Sequence, residues 1–302
     1  MNRVLVVTAV SPEADAACAG MMGPWQPRAN ASASAQPSRG GPGPSWDRQL
    51  LTAVRLGPYL GRRSGALTVL AAGAAGPAAA AGTATALATA RATGEPFSLV
   101  ISLGVAGGFT GRADIGDLVV ADAVVAADLG AESGLDTSAC GPGQRPSPST
   151  PSASGDFLSL DSLGLGPSVL TPHEGVVRRL VELLTGTGRT VTTGPVLSVS
   201  TVTGTDQRAA ALALRFGPVA EAMEGYAVAV AASAFNTPFA EVRAISNLVG
   251  RRDRSAWDLP RAFAGLSAAT AGLAAGIDAL TAVLETPGSA EPARPVPGPG
   301  MS

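Results

Sequence analysis

Four short segments near the ends of apolar runs carry the side chains that could do chemistry. They are Glu13, the glycine-rich segment Gly104–Phe109, the pair Met223–Glu224 and the pair Ser246–Asn247. Carboxylates can act as general bases or stabilise a developing cation, and glycine backbone N–H groups can hold an anion or a water. The carboxamide can donate and accept hydrogen bonds at once. Ligands of an open α/β sheet bind beyond the carboxyl ends of its strands, so we expect these segments to meet there.

The single histidine and the two cysteines exclude several mechanisms. His173 follows Pro172 at the start of a helical pattern, and we interpret it as a surface or helix-start residue. A Ser-His-Asp triad, a Cys-His pair or a His-rich metal site would therefore lack its imidazole. Cys18 and Cys140 make neither a disulfide framework nor a metal site. The glycine spacing does not match the G-x-G-x-x-G pattern of dinucleotide sites, so we expect no metal and no organic cofactor.

The composition argues against nucleic acid and membranes as partners. The chain of 302 residues has a formal net charge of −2 and no stripe rich in Lys and Arg. Its longest apolar stretch, around residues 65–92, is rich in Ala, Gly and Thr and is interrupted by Pro77, which makes it a poor membrane span. The apolar run at the N-terminus is too short for a signal peptide. We therefore expect a cytoplasmic location.

Three low-complexity segments accompany one globular domain. Residues 23–48, 140–156 and 286–302 are rich in Pro, Gly, Ser and Ala and carry too little apolar surface to offset the entropy of ordering. We predict a single domain over residues 1–285 with flexible insertions at the first two segments, followed by a disordered tail.

Strands alternating with helices predict an α/β fold with a mixed central sheet covered by helices on both faces. One strand is expected to end before Gly104 and another, beginning at Phe239, to end at Ser246. Glu241 and Arg243 leave the burial of that second strand open on both faces. The apolar run 219–235 contains EAMEGY and is expected to continue as an Ala/Val-rich buried helix.

Five motifs occur in order along the chain: TAVSPEAD, SLGVAGGF, ADIGDLVVAD, EAMEGYA and VRAISNLVG. The set resembles the nucleoside phosphorylase/nucleosidase superfamily and, within it, the futalosine hydrolases. No single motif is decisive, but together they cover nearly all of the chain outside the insertions. The resemblance implies a three-layer α/β fold and hydrolysis of the N-glycosidic bond of a nucleoside. It also implies a homo-oligomer, with a dimer favoured.

The resemblance assigns roles to two carboxylates. Cleavage of a nucleoside passes through an oxocarbenium-like ribosyl cation, which is helped by a base for water and by nearby negative charge. Glu13 matches the water-activating carboxylate of the nucleosidases. Glu224 matches the carboxylate that binds the ribose hydroxyls while Met223 packs on the sugar. From the residues alone, Glu13 could instead be an acid favoured in a first helical turn, whereas a charge inside the apolar run 219–235 needs a partner.

Asn247 departs from the adenine-specific nucleosidases, which carry an Asp here to protonate N7 of the base. An amide supplies no proton at neutral pH, but it offers NH2 and C=O together to a 6-oxopurine. Hypoxanthine, which futalosine hydrolases release, is such a base. From spacing alone, Asn247 could equally cap the next helix or lie in a turn. What protonates the leaving base is left open.

The resemblance extends the site beyond these residues. Futalosine carries an acidic aryl ketone on its 5′ arm, so a cation could pair with its carboxylate, and Arg208 is one candidate. The substrate-binding residues expected in addition to Met223 are Gly107, Gly108, Phe109, Thr205, Ser246 and Arg208.

Two other functions fit the same motifs. The first is a purine nucleoside phosphorylase or a methylthioadenosine-type nucleosidase. Phosphorylases of the superfamily hold phosphate with arginines, but the glycine-rich segment has no basic residue before Arg112 and the turn after the first strand has none before Arg28. Water is therefore favoured as the nucleophile. The second is a nucleoside-binding module without catalysis.

The amide argument predicts the effect of Asn247→Asp. The change should weaken cleavage of a 6-oxopurine nucleoside relative to its 6-amino counterpart, because the NH2 donor is lost. A well-aimed donor of this kind is worth roughly 10²–10³ in rate by analogy with oxyanion holes. The measurement is kcat/KM for a matched pair of nucleosides, and a specificity ratio that does not move would contradict the role of Asn247.

Overall fold

The computed structural model describes residues 2–23, 51–132 and 157–285. The predicted insertions at 23–48 and 140–156 and the tail at 286–302 lie outside these residues, apart from Gly23. The strands are β1 (Val4–Thr8), β2 (Thr52–Leu56), β3 (Tyr59–Ser64), β4 (Leu67–Ala71), β5 (Leu99–Gly108), β6 (Leu118–Ala126), β7 (Gly130–Glu132), β8 (Phe157–Ser159), β9 (Val169–Leu170), β10 (Val191–Ser198), β11 (Ala220–Ala222) and β12 (Phe239–Leu248). The helices are α1 (Ser11–Met21), α2 (Ala75–Ala92), α3 (Glu174–Thr185), α4 (Asp206–Phe216), α5 (Gly225–Ala234) and α6 (Leu259–Ala282), with a 3-10 turn at Arg254–Ala256.

Within the described ranges, ten strands form one mixed sheet, whose main path is β11-β10-β6-β12-β5-β1-β4-β3-β2 with β9 beside β6. β1 lies parallel to β4 and β5, and β12 lies parallel to β5 but antiparallel to β6. The short β11 pairs with β10 and also with the end of β5, so one end of the sheet closes on itself. The carboxyl ends of β1, β5 and β12 therefore lie at the same edge of the sheet, and β11 lies beside the end of β5.

Helices cover both faces of the sheet, which confirms the predicted α/β class. α2 and α5 pack on one face, and α1, α3 and α6 pack on the other. α6 is long and apolar enough to span a membrane by length and composition alone. In this fold its Ala262, Leu266, Ala269 and Leu273 are buried in the core between the sheet and α1 and α3.

One local prediction was wrong at a strand end, and one short strand was not predicted. The segment after Leu103 is not a loop, because β5 continues to Gly108 and pairs with β12 and β11. The helix expected in the run 219–235 is α5, which begins at Gly225, but the local pattern gave no indication of the strand β11 at Ala220–Ala222. In both places hydrogen bonds to distant strands outweigh the local pattern, which does not contain those partners. β12 likewise passes its predicted end at Ser246 and reaches Leu248.

The sequence pattern gave no indication of the β2–β3 hairpin. The hairpin lies at the edge of the sheet, where most residues of β2 are exposed, so it lacks the alternation of buried and polar residues that marks a strand. Its turn contains Gly57, whose φ of 62° favours glycine.

Candidate active site

A fully buried arginine lies at the centre of the site. Arg243 projects from β12, and its Nε donates to Oε1 of Glu241 at 2.7 Å. Its Nη1 donates to Oε2 of Glu224 at 3.2 Å and its Nη2 to Oγ of Ser102 at 3.0 Å. Burial would lower the pKa of Arg243, but the charges of Glu241 and Glu224 more than offset this and raise it. The guanidinium therefore stays charged and fixes both carboxylates.

Glu13 reaches this centre from the first turn of α1. Its Oε2 accepts the N–H groups of Ala9 and Val10 at 2.9 and 3.2 Å, and its Oε1 accepts the N–H of Val105 at 2.9 Å. Glu13 thus lies in the first turn of a helix, where an acidic residue is favoured, and its side chain also forms a hydrogen bond to β5. The residue is 3 % exposed, and burial raises the pKa of its carboxyl, although Val105 and the charge of Arg243 partly counter the effect. Its carboxylate is consequently more basic than an exposed one.

Glu224 lies between β11 and α5 and is held from three sides. Its Oε1 accepts the N–H of Ala75 at 3.0 Å, and its Oε2 accepts the N–H of Met223 at 3.3 Å as well as the bond from Arg243. Ala75 begins α2 with a φ of 67°, a conformation that costs a non-glycine residue free energy. The positive end of the α2 dipole faces Glu224 as a result. The partner that a buried charge at this position requires is therefore present.

Gly104 lets these groups come together. A Cβ on Gly104 would lie 2.6 Å from Nη1 of Arg243 and 2.9 Å from Oε1 of Glu13. Three carboxylates, those of Glu13, Glu224 and Glu241, therefore surround one guanidinium. Their excess negative charge favours a cation or an added proton in the same space. Among the residues that the structure describes, no group of three or more His, Cys, Asp or Glu side chains is arranged to hold a metal.

A β-bulge directs Asn247. The register of β12 against β5 shifts after Ile245, so that Asn247 pairs with Gly107. Ser246 Oγ donates to Oδ1 of Asn247 at 2.8 Å, and Nδ2 of Asn247 donates to the carbonyl of Leu248 at 3.0 Å. A Cβ on Gly107 would lie only 3.3 Å from Nδ2. The amide is thus fixed above Gly107 and keeps a second N–H and a second lone pair for a ligand.

The structure excludes a helix-capping role for Asn247 and shows where four other expected contact residues lie. The cap of α6 is Asp258, which accepts the N–H of Arg261, whereas Asn247 lies within β12. Thr205 caps α4 by accepting the N–H of Arg208, whose side chain is exposed. Gly108 packs closely on the backbone of Ala113, and Phe109 is buried in a small cluster with Leu212 of α4. The expected site residues therefore form three groups. The first contains Glu13, Glu224 and Met223, and the second contains Ser246, Asn247 and Gly107. The third group, Thr205 and Arg208, lies at the start of α4.

A mostly apolar cleft of about 330 Å³ adjoins Met223. It lies between the start of α2 and the outer face of α5, near the ends of β6 and β10. Its lining residues include Pro77, Ala80, Leu129, Val199, Met223 and Tyr226. Because the N–H of Met223 binds Glu224, the cleft lies next to the carboxylate cluster and could hold the apolar part of a ligand.

Comparison with known proteins identifies the family. The Phosphorylase superfamily model matches residues 57–278, which include Glu224, Arg243 and Asn247. The chain belongs to the phosphorylase superfamily. Membership confirms the α/β class with its mixed sheet and flanking helices, which the five motifs had indicated.

Two relatives within the superfamily carry the same functional name. A futalosine hydrolase of Streptomyces coelicolor is 45 % identical over 182 residues, which cover 60 % of this chain and 67 % of that protein. A futalosine hydrolase of Acidothermus cellulolyticus is 44 % identical over 180 residues, which cover 59 % of this chain and 65 % of that protein. The matched regions thus span about two thirds of each relative.

Solved structures of other superfamily members share the fold. Futalosine hydrolase of Helicobacter pylori superposes with a TM-score of 0.60 at 17 % identity and covers 94 % of this chain and 98 % of that one. The 5′-methylthioadenosine/S-adenosylhomocysteine nucleosidase of Neisseria meningitidis, in complex with methylthio-immucillin-A, gives a TM-score of 0.62 at 17 % identity, covering 92 % of this chain and 100 % of that one. At these identities the likeness shows the fold alone.

Sequence reasoning missed the group around Arg243. A signal was present, because Glu241 and Arg243 are two residues apart in an apolar strand and so point to the same face. Opposite charges in that arrangement suggest a buried pair, since neither would be buried alone. Nothing in the sequence indicated Ser102 or the N–H of Ala75, which come from other strands and helices.

Arg243→Met should lower the free energy of unfolding of the protein by roughly 3–5 kcal/mol at neutral pH, because it leaves buried carboxylates without their cation. Burial raises the pKa of Glu241, and the variant removes the main group that opposes this shift. In the folded variant the Glu241 carboxyl then keeps its proton to higher pH than it does in the unfolded chain. The destabilisation should therefore shrink as pH falls towards 5. Urea unfolding at pH 7 and pH 5 measures both effects.

Arg178→Met is the matched control, because its exposed pair with Glu174 should contribute less than about 1 kcal/mol at either pH. Adding Glu241→Gln to Arg243→Met should restore part of the lost stability. A loss of equal size at both pH values, with no recovery in the double variant, would contradict the shared-cation arrangement.

Proposed function

We propose that the protein hydrolyses the N-glycosidic bond of futalosine and releases hypoxanthine and dehypoxanthine futalosine. The observation that carries the proposal is the convergence of Glu13 and Glu224 on one buried guanidinium, in a chain 45 % identical to a relative named futalosine hydrolase. The reaction would be the futalosine step of menaquinone synthesis.

Glu13 would act on the attacking water. The water's oxygen forms a bond to C1′ of the ribose, its proton passes to Glu13, and the bond from C1′ to N9 of the purine breaks. The raised pKa of the buried Glu13 carboxyl suits a base, because a more basic carboxylate takes the proton more readily. Its position among backbone N–H groups orients it before substrate arrives.

Glu224 would stabilise the sugar. Fixed by Arg243 and Ala75, it retains acceptor capacity for ribose hydroxyls, and Met223 beside it would pack on the ring. Glu224 and Glu13 together place negative charge near the oxocarbenium-like centre. Preorganisation by Arg243 means that little reorganisation is needed during the reaction.

Asn247 would bind the leaving base. Its free N–H and lone pair complement the adjacent acceptor and donor atoms of hypoxanthine, and Ser246 keeps the amide oriented. The net reaction adds water across the bond, so the departing purine also gains a proton.

The two features that could bind the 5′ arm of the substrate, the apolar cleft and Arg208, lie in different places. The apolar cleft beside Met223 adjoins the carboxylate cluster, which suits an aryl group attached to the ribose. Arg208 lies at the start of α4, and burial raises the pKa of Glu221 on β11 while the charge of Arg208 is one of the groups that oppose this rise. We therefore assign the aryl part of the arm to the cleft and retain Arg208 as a cation for the carboxylate.

We further infer a cytoplasmic enzyme that works as a homo-oligomer, with a dimer as the simplest case. Leu129 and Val230 are apolar, partly exposed and adjacent to the cleft, and a second subunit could cover them. Light scattering of the purified protein measures the oligomeric state, and a monomer at micromolar concentration would contradict this assignment.

The decisive assay follows hypoxanthine release from futalosine with and without phosphate, beside inosine and methylthioadenosine. We expect futalosine to be cleaved without phosphate and far faster than the other two. Strict dependence on phosphate would identify a phosphorylase. Preference for methylthioadenosine would identify a nucleosidase of that type, and binding without turnover would identify a nucleoside-binding module.

Glu13→Gln should lower turnover by roughly 10²–10⁴, the usual range for a general base, while nucleoside binding measured by calorimetry survives. Because burial raises the pKa of Glu13, kcat/KM of the wild type should fall as pH drops through that raised pKa. The residual activity of Glu13→Gln should lack this acidic limb. Unchanged turnover, or an acidic limb retained in Glu13→Gln, would remove Glu13 from the mechanism.

A further inference from the structure

Glu241 is a buried carboxylate to which the proposed mechanism assigns no role. It is 1 % exposed and lies on β12 in register with Ser102 of β5. Its Oε1 accepts the hydrogen bond from Nε of Arg243 at 2.7 Å. Its Oε2 is buried and has no hydrogen-bond partner among the residues that the structure describes. A carboxylate with one oxygen unpaired in the protein interior is costly, so its presence calls for a physical reason.

The packing around Glu241 keeps it away from a ligand. A Cβ on Gly225 would overlap both oxygens of the carboxylate, so the first residue of α5 covers this group directly. The apolar cleft beside Met223 is lined by other residues. The charged groups that face Glu241 are Arg243 and Glu224. Any effect of Glu241 on a bound sugar must therefore pass through these two neighbours.

The contacts indicate that Glu241 is ionised. Nε of Arg243 donates to Oε1 over the short distance typical of a charge-assisted hydrogen bond. A proton on Oε2 would find no acceptor among the described residues. Burial raises the pKa of Glu241, and Arg243 opposes that rise through its charge and its hydrogen bond.

The charge of Glu241 changes the balance around Arg243. The guanidinium already has Glu224 as an ionic partner and Ser102 as an acceptor, so its Nε needs only a neutral acceptor. With Glu241 ionised, the guanidinium is neutralised within its own strand, and the charges of Glu13 and Glu224 are not offset. Without that charge, Arg243 would neutralise one of these two carboxylates.

We propose that Glu241 is a positioning residue that orients and neutralises Arg243, so that the full negative charge of Glu13 and Glu224 acts on the sugar as it becomes cationic. The inference rests on the proposed function, because it takes an oxocarbenium-like sugar as the species that is stabilised. It adds a residue that acts on the transition state without touching the substrate.

Glu241→Gln tests the proposal in turnover. The amide oxygen can still accept the hydrogen bond from Nε of Arg243, but the negative charge is lost. A nucleoside is neutral in the ground state, so the loss should affect the cationic transition state and leave binding of the substrate nearly unchanged. We expect kcat for futalosine to fall by roughly 10–100-fold while KM stays close to that of the wild type.

The pH dependence gives a second measurement. The charged groups that face Glu13 are Arg243 and Glu224, whereas β1, the start of α1 and β5 contribute backbone N–H groups. Glu241→Gln leaves all of these in place and removes a negative charge behind Arg243. The pKa of Glu13 should therefore fall, and the acidic limb of kcat/KM should move to lower pH. Loss of a merely structural contact would not move the limb in this direction.

Binding gives a third measurement that does not require turnover. A nucleoside analogue with a protonated nitrogen in its sugar ring resembles the cation, and its neutral carbocyclic counterpart resembles the ground state. Calorimetry with both analogues measures how strongly the protein prefers the cation. Glu241→Gln should weaken binding of the protonated analogue by roughly 10-fold or more and leave binding of the neutral one nearly unchanged.

Glu174→Gln also removes one carboxylate charge, but from an exposed position on α3, and is the matched control. It should change none of the three measurements. A folded Glu241→Gln variant with the kcat, acidic limb and cation preference of the wild type overturns the proposal, and this is the result that a protonated Glu241 would give. Equal loss of affinity for both analogues indicates a structural role and also overturns it.

Glu241→Asp keeps the charge and decides the question if Glu241→Gln does not fold. Its shorter side chain weakens the bond to Nε of Arg243, so kcat should fall, but the acidic limb should stay at the pH of the wild type. A limb that moves to lower pH in Glu241→Asp overturns the proposal.

The failure of this inference and that of the proposed function are distinguishable. Wild-type protein that does not cleave futalosine, but prefers the protonated analogue and loses that preference in Glu241→Gln, overturns the proposed function and supports the role of Glu241. Cleavage of futalosine with kcat and pH dependence that Glu241→Gln does not change overturns the role of Glu241 alone. Wild-type protein that neither cleaves futalosine nor prefers the protonated analogue overturns both.

Discussion

The buried guanidinium of Arg243 is the interaction on which the candidate site depends. It joins β12 to β5 through Ser102 and to the start of α5 through Glu224, and it fixes Glu241 on its own strand. Removing water from one cation and several carboxylates is costly, and the hydrogen bond that each guanidinium nitrogen donates to an oxygen offsets this cost. The same contacts that make this region stable therefore also orient the carboxylates.

Close backbone approaches make that arrangement possible. A Cβ on Gly225 would lie 2.1 Å from Oε2 of Glu241, so α5 can begin over this carboxylate only with glycine. Gly104 admits Glu13 and Arg243 in the same way, and Ala75 adopts a positive φ while its N–H donates to Glu224. Strain and small residues concentrate where charged groups converge, which is typical of sites whose geometry matters more than their stability.

The charge balance of the site has a chemical consequence. Three carboxylates share one cation, and Oε2 of Glu241 has no hydrogen-bond partner among the described residues. Burial raises the pKa of both Glu13 and Glu241. A positively charged sugar would relieve this excess of negative charge, whereas a neutral ligand would not. The site would therefore stabilise a cationic transition state more than a neutral bound substrate. The neutral amide of Asn247, fixed by Ser246, provides a different environment that is suited to hydrogen bonding.

The sequence by itself determined the layered α/β class, most strands and helices, and the acidic and amide residues as candidates. It could do so because hydrophobic periodicity and motif order are local properties, readable at Leu67–Ala71 or in VRAISNLVG. Only the tertiary structure decided that Gly104–Gly108 is strand, that β11 precedes α5, and that Arg243 holds Glu224. The physical reason is that each of these depends on a partner far away in sequence. Gly104 and Arg243 are 139 residues apart in the chain, and only the pairing of β5 with β12 brings them side by side.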